Sequence, residues 1–173
     1  LLLARRTPVD ALPGAQPKMS LDRLTLPASI GSEGAFLKFT DDPAYPFAAE
    51  NETFCLALAR ASGLPAARTE LFADAVGGTG LVVHRFDRRE GRMLRQEDVL
   101  QILDRYPADK YEVTAETAAE GIRSVCAAPL PSLLAFAMQI AFRSLVGDTD
   151  GHAKNISVLE TASGGFALSP LYD

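Results

Sequence analysis

The apolar positions change rhythm along the chain. From Gly34 to Phe39 they form a short run, Gly34-Ala35-Phe36-Leu37-Lys38-Phe39, with one lysine inside it. Such a run predicts a buried strand, with Phe36 and Lys38 on one face and Leu37 and Phe39 on the other. Phe54, Leu56, Ala57, Leu58 and Ala61 then recur at helical spacing behind Glu50-Asn51-Glu52. Gly63 suits the residue after a helix end, and Pro65 prevents continuation. Leu64 to Ala73 predicts the approach to a strand and a strand. Gly77-Gly78-Thr79-Gly80 predicts a turn, and Leu81 to Phe86 another strand. Residues 1 to 13, with Arg5, Arg6, Pro8 and Pro13, read as an exposed lead-in.

From Gln96 the spacing turns helical. Gln96-Glu97-Asp98 are expected to open a short helix carrying Val99, Leu100, Ile102 and Leu103, stopped at Tyr106-Pro107. Pro107 to Tyr111 reads as a polar loop. Thr114 is placed to cap a helix bearing Ala118, Ile122, Val125 and Cys126. Ser132 is expected to cap a longer helix ending near Gly147, with Leu133, Phe136, Ile140 and Leu145 inward. Strand-like runs return at Ile156–Leu159 and Phe166–Leu168. Ser163-Gly164-Gly165 lies between them, the outline of a hairpin. A strand meander with one inserted helix, followed by helices, is an α+β arrangement. The change falls between Phe86 and Gly91, which divides the chain into residues 1–88 and 89–173.

Composition narrows this picture. The chain has 173 residues, 47% of them hydrophobic and 23% charged, enough apolar material for a core. A net charge of −5 argues against a broad nucleic-acid surface, though not against one basic pocket. Cys55 and Cys126 read as reduced core residues. His84 and His152, with no CxxC, make a poor zinc set. Leu1-Leu2-Leu3 is too short for a signal peptide. The most apolar helix is interrupted by Gln139 and Arg143 and is expected to fall short of a membrane span. The cytoplasm is the expected compartment.

The candidate chemistry lies in Asp148–Asp173. Closing the hairpin would bring Asp173 toward Asp150 and Asn155. One Asp can take the proton of an attacking hydroxyl, while Asn and a second Asp offer hard oxygens to Mg²⁺. An Asp, an Asn after four intervening residues and a later Asp is the order used in protein-kinase phosphoryl transfer. A polar loop with helix-capping aspartates is the structural alternative. Lys38 is either a solvated edge residue or the group that neutralises nucleotide phosphates. Glu50 and Glu52 suit the first turn of a helix, where the dipole favours acids, and only one of them can also face Lys38. Gly14-Ala15-Gln16-Pro17-Lys18 is either an ordinary turn or a phosphate-facing loop. The charged run 85–92 reads as a solvated turn, with a structural ion pair of Arg85 and Asp87 near a cleft as the alternative.

Taken in order, these pieces resemble the HipA-type serine/threonine kinases, the toxins of bacterial toxin–antitoxin pairs. The matching stretches are Gly14–Lys18, Phe36–Phe39, Asn51-Glu52, Arg85–Arg88, Gln96–Asp98, Thr149–Asn155 and Leu168–Asp173. The runs around Asp150 and the terminal Ser-Pro-Leu-Tyr-Asp are the specific ones. The resemblance implies a bilobal kinase-like fold, with a strand-rich N-lobe (1–88) and a helical C-lobe (89–173). It implies Asp150 as catalytic base, Lys154 as a stabiliser of the transferring phosphate, and His152 as a residue of the same loop that packs and hydrogen-bonds. Asn155 and Asp173 would bind Mg²⁺. Lys38 would bind the ATP phosphates, with Glu52 beside it, under a loop from Gln16 through Lys18 to Ser20. It also implies a protein substrate, in known cases an aminoacyl-tRNA synthetase, and growth arrest. The implied partner is a helix-turn-helix antitoxin of HipB type, through which DNA is met only indirectly.

This sequence departs from the pattern in three places. Ala11 stands where the family often has an autophosphorylated serine, which questions that control. Asp148 stands where Asn is usual and adds negative charge beside the metal site. The sequence ends at Asp173, where family members continue with further helices, so a truncated C-lobe is expected, as is a missing N-terminal subdomain. A degenerate kinase-like binding module and a small-molecule phosphotransferase are the competing functional classes.

Overall fold

The computed structural model describes residues 23–28, 34–40, 45–73, 79–89 and 91–173. The fold is mixed α and β. Its first sheet contains β1 (Arg23–Ala28), β2 (Ala35–Thr40), β3 (Thr69–Ala73) and β4 (Thr79–His84), all antiparallel, in the order β1-β2-β4-β3. Helix α1 (Ala48–Ala61) lies between β2 and β3 in the chain and packs on this sheet. It ends as expected, with Gly63 in the left-handed region at φ 83°. β1 is an addition to the predicted elements. Thr79 and Gly80, predicted as turn, belong to β4. Gly80 lies opposite both Phe39 and Phe72. Those rings meet edge to face, 5.3 Å between centroids, and a Cβ at Gly80 would stand 2.3 Å from the Phe72 ring. The glycine leaves room for the pair.

The short ribbon β5 (Arg88–Arg89) and β6 (Arg92–Met93) follows. Asp87, just before it, is not a solvated turn residue. It is only 2% exposed, and its carboxylate accepts from Arg85 Nε at 2.9 Å and Nη2 at 2.6 Å in a bidentate pair, the alternative reading of this run.

Gln96–Asp98 is a strand, β7, and not a helix start. It pairs with β8 (Ser157–Glu160), which pairs in turn with β9 (Phe166–Leu168), so the expected hairpin is present and has a third strand. Tertiary pairing overrides local propensity here. Helix α2 is only Val99–Ile102, capped reciprocally by Asp98 and Gln101. Pro107–Tyr111 forms a 3₁₀ turn instead of a loop. Thr114 caps α3 (Ala115–Val125), accepting from the Thr117 N–H. Helix α4 is Pro129–Val146, so it begins before Ser132, which is buried inside it and caps nothing. Proline is tolerated in the first turn, where its missing N–H has no intrahelical partner in any case. The earlier start makes α4 long and apolar enough to cross a membrane by length and composition alone. Its Gln139 and Arg143, however, are buried and bonded to carbonyls of the chain's own terminal segment.

Two apolar clusters hold these elements. One joins α1 and the first sheet, with Leu56, Ala59, Leu81 and Val83, and takes in Phe142 of α4 and Leu171. The other joins Val99, Leu100, Ile122, Phe136, Ile156 and Val158. Cys126 belongs to the second, whereas Cys55 is only half-buried, and both are free thiols. Leu171 reaches the first cluster because residues after β9 run beside Pro65–Ala67. The Ala67 N–H donates to the Leu171 carbonyl and the Leu171 N–H to the Pro65 carbonyl, both at 2.8 Å. Those two backbone bonds carry Asp173 across to the first sheet.

Candidate functional site

Lys38 lies in the middle of β2, opposite Leu81 of β4. Its ammonium donates to Glu52 Oε1 at 2.9 Å and to Asp173 Oδ1 at 2.5 Å. It is therefore no solvated edge residue. Glu52, not Glu50, is the helix acid that meets it. Burial alone would lower the lysine pKa, but the two carboxylates outweigh it and hold the ammonium well above its ordinary value. The result is a fixed cation between a helix and the chain's last acidic side chain, which is 135 positions away in sequence.

The Asp148–Asn155 loop supplies the other groups. Asp150 is exposed. Its N–H donates to Asp148 Oδ1 at 3.0 Å, and its Oδ1 accepts the Tyr111 hydroxyl at 2.6 Å. Asn155, in the 3₁₀ turn Ala153–Asn155, donates from its amide nitrogen to the Asp150 carbonyl at 3.2 Å. The amide oxygen is thereby turned away from that carbonyl. Asn155 thus grips the loop of Asp150 with one end and offers an oxygen with the other. Asp173 provides a carboxylate. Two hard oxygen donors of this kind suit Mg²⁺, which takes few protein ligands and completes its shell with phosphate and water. Among the described residues no group of three or more His, Cys, Asp or Glu side chains forms a metal cluster.

Other predicted residues fall elsewhere. Lys154 Nζ sits 3.4 Å from Asp98 Oδ2, on the β7–α2 side of the loop. Its carbonyl accepts the Tyr172 hydroxyl at 3.0 Å, and Tyr172 also bonds Ser157. Burial pushes the Tyr172 phenol up to about 12. His152 is buried and packs edge-on against Tyr111, 5.3 Å between centroids. Its Nδ1 has no hydrogen-bond partner among the described residues. Burial, then the nearby Lys110, hold its pKa below the ordinary value, partly opposed by Asp150. Tyr111 and His152 line a pocket of about 210 Å³ with Phe136, Ile140 and Ile156. Gln16, Lys18 and Ala11 lie outside the described residues.

The sequence names Tyr111, Asp98 and Arg143 without giving them a role at the site, and Arg143 is the most consequential of the three. Arg143 is 6% exposed and contacts Asp148 and the carbonyls of Asn155, Tyr172 and Asp173. The extra negative charge noted at Asp148 is therefore paired. One signal was available: Arg143 is the one charged residue of α4 and stands five positions before an aspartate.

Comparison with known proteins places this geometry. The profile of the family described as HipA-like C-terminal domain matches residues 11–173. A curated Sinorhizobium fredii protein named "Putative kinase Y4mE" is 35% identical over 94% of this chain and 41% of its own length. A second from the same organism, Y4dM, named in the same way, is 27% identical over 87% of this chain and 39% of itself. The chain thus spans about two fifths of the length of these relatives. Among solved structures, HipA of Shewanella oneidensis, determined with HipB and operator DNA, superposes with a TM-score of 0.72 at 23% identity. That match covers 91% of this chain and 44% of that one. The Helicobacter pylori proinflammatory kinase CtkA gives 0.68 at 16% identity, covering 96% and 56%. At such identities the likeness is one of fold. The profile match spans nearly the whole sequence, and the chain belongs to the HipA-like C-terminal domain family.

Proposed function

We propose that this chain carries the phosphoryl-transfer site of an ATP- and Mg²⁺-dependent serine/threonine protein kinase of HipA type. The observation that carries the proposal is Lys38, held between Glu52 and Asp173 at the end of the hairpin that also presents Asn155. A lysine paired with a helix glutamate is how kinases place the charge that meets the α and β phosphates. Asp173 and Asn155 would hold Mg²⁺. When bound, the ion neutralises charge on the phosphates that Lys38 also faces. Gln16 and Lys18, which precede Arg23 in the sequence, are assigned to covering the nucleotide, between lobes at 1–88 and 89–173.

Asp150 is the proposed base. It accepts the proton of a serine or threonine hydroxyl as that oxygen bonds the γ-phosphorus and ADP departs. Its exposure and its place on the loop anchored by Asn155 support this role. Lys154, moored on Asp98, is proposed to lend its charge to the transferring group when it leaves that carboxylate. The acceptor is proposed to be a host protein, of which an aminoacyl-tRNA synthetase is one candidate, and the outcome growth arrest in the cytoplasm. The Shewanella neighbour was solved with HipB and operator DNA. We extend that partnering to this chain: a HipB-type antitoxin, with DNA contacted through it.

The test is transfer of label from γ-labelled ATP into host lysate by the natural protein. One or a few proteins should be labelled on serine or threonine, and Asp150→Asn should abolish labelling while ATP still binds. Labelling at the parent rate by Asp150→Asn would remove Asp150 from the mechanism. Transfer to a small molecule with none to protein would move the substrate class.

A further inference from the structure

A guanidinium inside a core is costly unless charge and oxygen acceptors satisfy it, and hydrophobic residues in its place are often at least as stabilising. Arg143 is such a group, and its Nε is buried without a hydrogen-bond partner among the described residues. Its other donors, however, all reach the two stretches that carry the site. Nη1 meets Asp148 Oδ2 and, at 3.4 Å, the Asp173 carbonyl. Nη2 meets the carbonyls of Tyr172 at 2.9 Å and Asn155 at 3.3 Å. Asp148 then uses its second oxygen to accept the Asp150 N–H at 3.0 Å. The backbones of Asp150, Asn155 and Asp173 are thus tied to one ion pair, directly or through Asp148.

We infer that Arg143 and Asp148 act as a single positioning unit for the kinase site. The pair sets the spacing between the stretch that carries the base and the carboxylate that faces Lys38. It also cancels a negative charge that would otherwise stand beside the cation site. Neither residue touches nucleotide or acceptor; both act through Asp150, Asn155 and Asp173. The inference rests on the kinase reading proposed above.

A double-substitution cycle in the natural protein tests it, using Arg143→Gln, Asp148→Asn and both together. The readouts are the calorimetric Kd for Mg·ATP, the Mg²⁺ concentration at half-saturation of ATP binding, and Tm. Arg143→Gln is expected to weaken Mg·ATP about tenfold and shift the Mg²⁺ midpoint, because Asp148 is left charged and Asp173 loses a tether. Asp148→Asn should weaken binding about threefold, and the double variant should lie closer to the parent than Arg143→Gln does. A lowered Tm with unchanged Kd and midpoint would make the pair structural only and overturn the inference, as would single effects that multiply in the double variant. If Arg143→Gln does not fold, Asp148→Asn decides, since it keeps the guanidinium on its carbonyls: an unchanged midpoint overturns the inference. A parent that binds no Mg·ATP overturns the kinase reading and this inference together. A parent that binds normally, with an uncoupled cycle, overturns this inference alone.

Discussion

Lys38 is held by carboxylates from two other elements, whereas Asp150 is held by its own loop and one phenol. At the Lys38 end the cation is partly buried and contacts Glu52 and Asp173 across long sequence separations. At the Asp150 end the carboxylate is exposed, and Tyr111, itself 63% exposed, donates to it from a 3₁₀ turn. The difference fits the two jobs proposed. A nucleotide is the same in every cycle, so fixed charges waiting for it cost no reorganisation during transfer. A protein acceptor must reach the base from solvent, so that end has to be open.

The largest effect should come from breaking the fixed end. Lys38→Met removes the cation and leaves Glu52 and Asp173 facing each other. We expect kcat/KM to fall about 10²–10³-fold and Tm to drop as well. Steady-state kinetics and a thermal melt on the same sample check both. If transfer is unaffected, the phosphate charge is supplied elsewhere and the contrast between the two ends disappears.

A smaller effect is expected at the open end. Tyr111→Phe keeps the ring against His152 but removes the hydroxyl that occupies Asp150 Oδ1. We expect kcat for protein substrate to change by about three- to tenfold, with Kd for ATP unchanged. A change in ATP affinity instead would mean that the two ends are not separable.

The smallest effect is on pH dependence. The native pKa of His152 lies below its ordinary 6.5, so the unfolded chain binds the proton more readily. Its contribution to stability is present above pH 6.5 and is lost as pH falls through the lowered native value. Below 6.5, then, Tm of the parent should decline more steeply than Tm of His152→Gln. Equal slopes would place the acid sensitivity in other groups.

How much of this was legible in the sequence depends on the range of the forces involved. The terminal hairpin was readable because Gly164 and Gly165, both at φ 79°, supply the turn locally. The pairing of Lys38 with an acid on α1 was readable through the kinase pattern of a strand lysine oriented by a helix glutamate, since Glu50 and Glu52 both suit the first helical turn and position alone does not choose between them. Gln96–Asp98 was misread because it is a strand only by virtue of β8, whose Ser157 lies opposite Asp98. Ser132 was misread because Pro129 already opens the helix, so its hydroxyl was not needed as a cap. The role of Arg143 was missed because its acceptors are mostly backbone carbonyls, which leave no mark on residue identity. β1 had a visible alternation, Leu24-Thr25-Leu26, and its place at the sheet edge follows from pairing with β2.

The most direct test of the central claim is calorimetric titration of Mg·ATP into the natural protein, its Asp173→Asn variant and its Asn155→Ala variant. The account predicts Mg²⁺-dependent binding by the parent, with affinity lowered at least about tenfold in each variant. Binding of equal affinity in all three, or binding by the parent that ignores Mg²⁺, would contradict it.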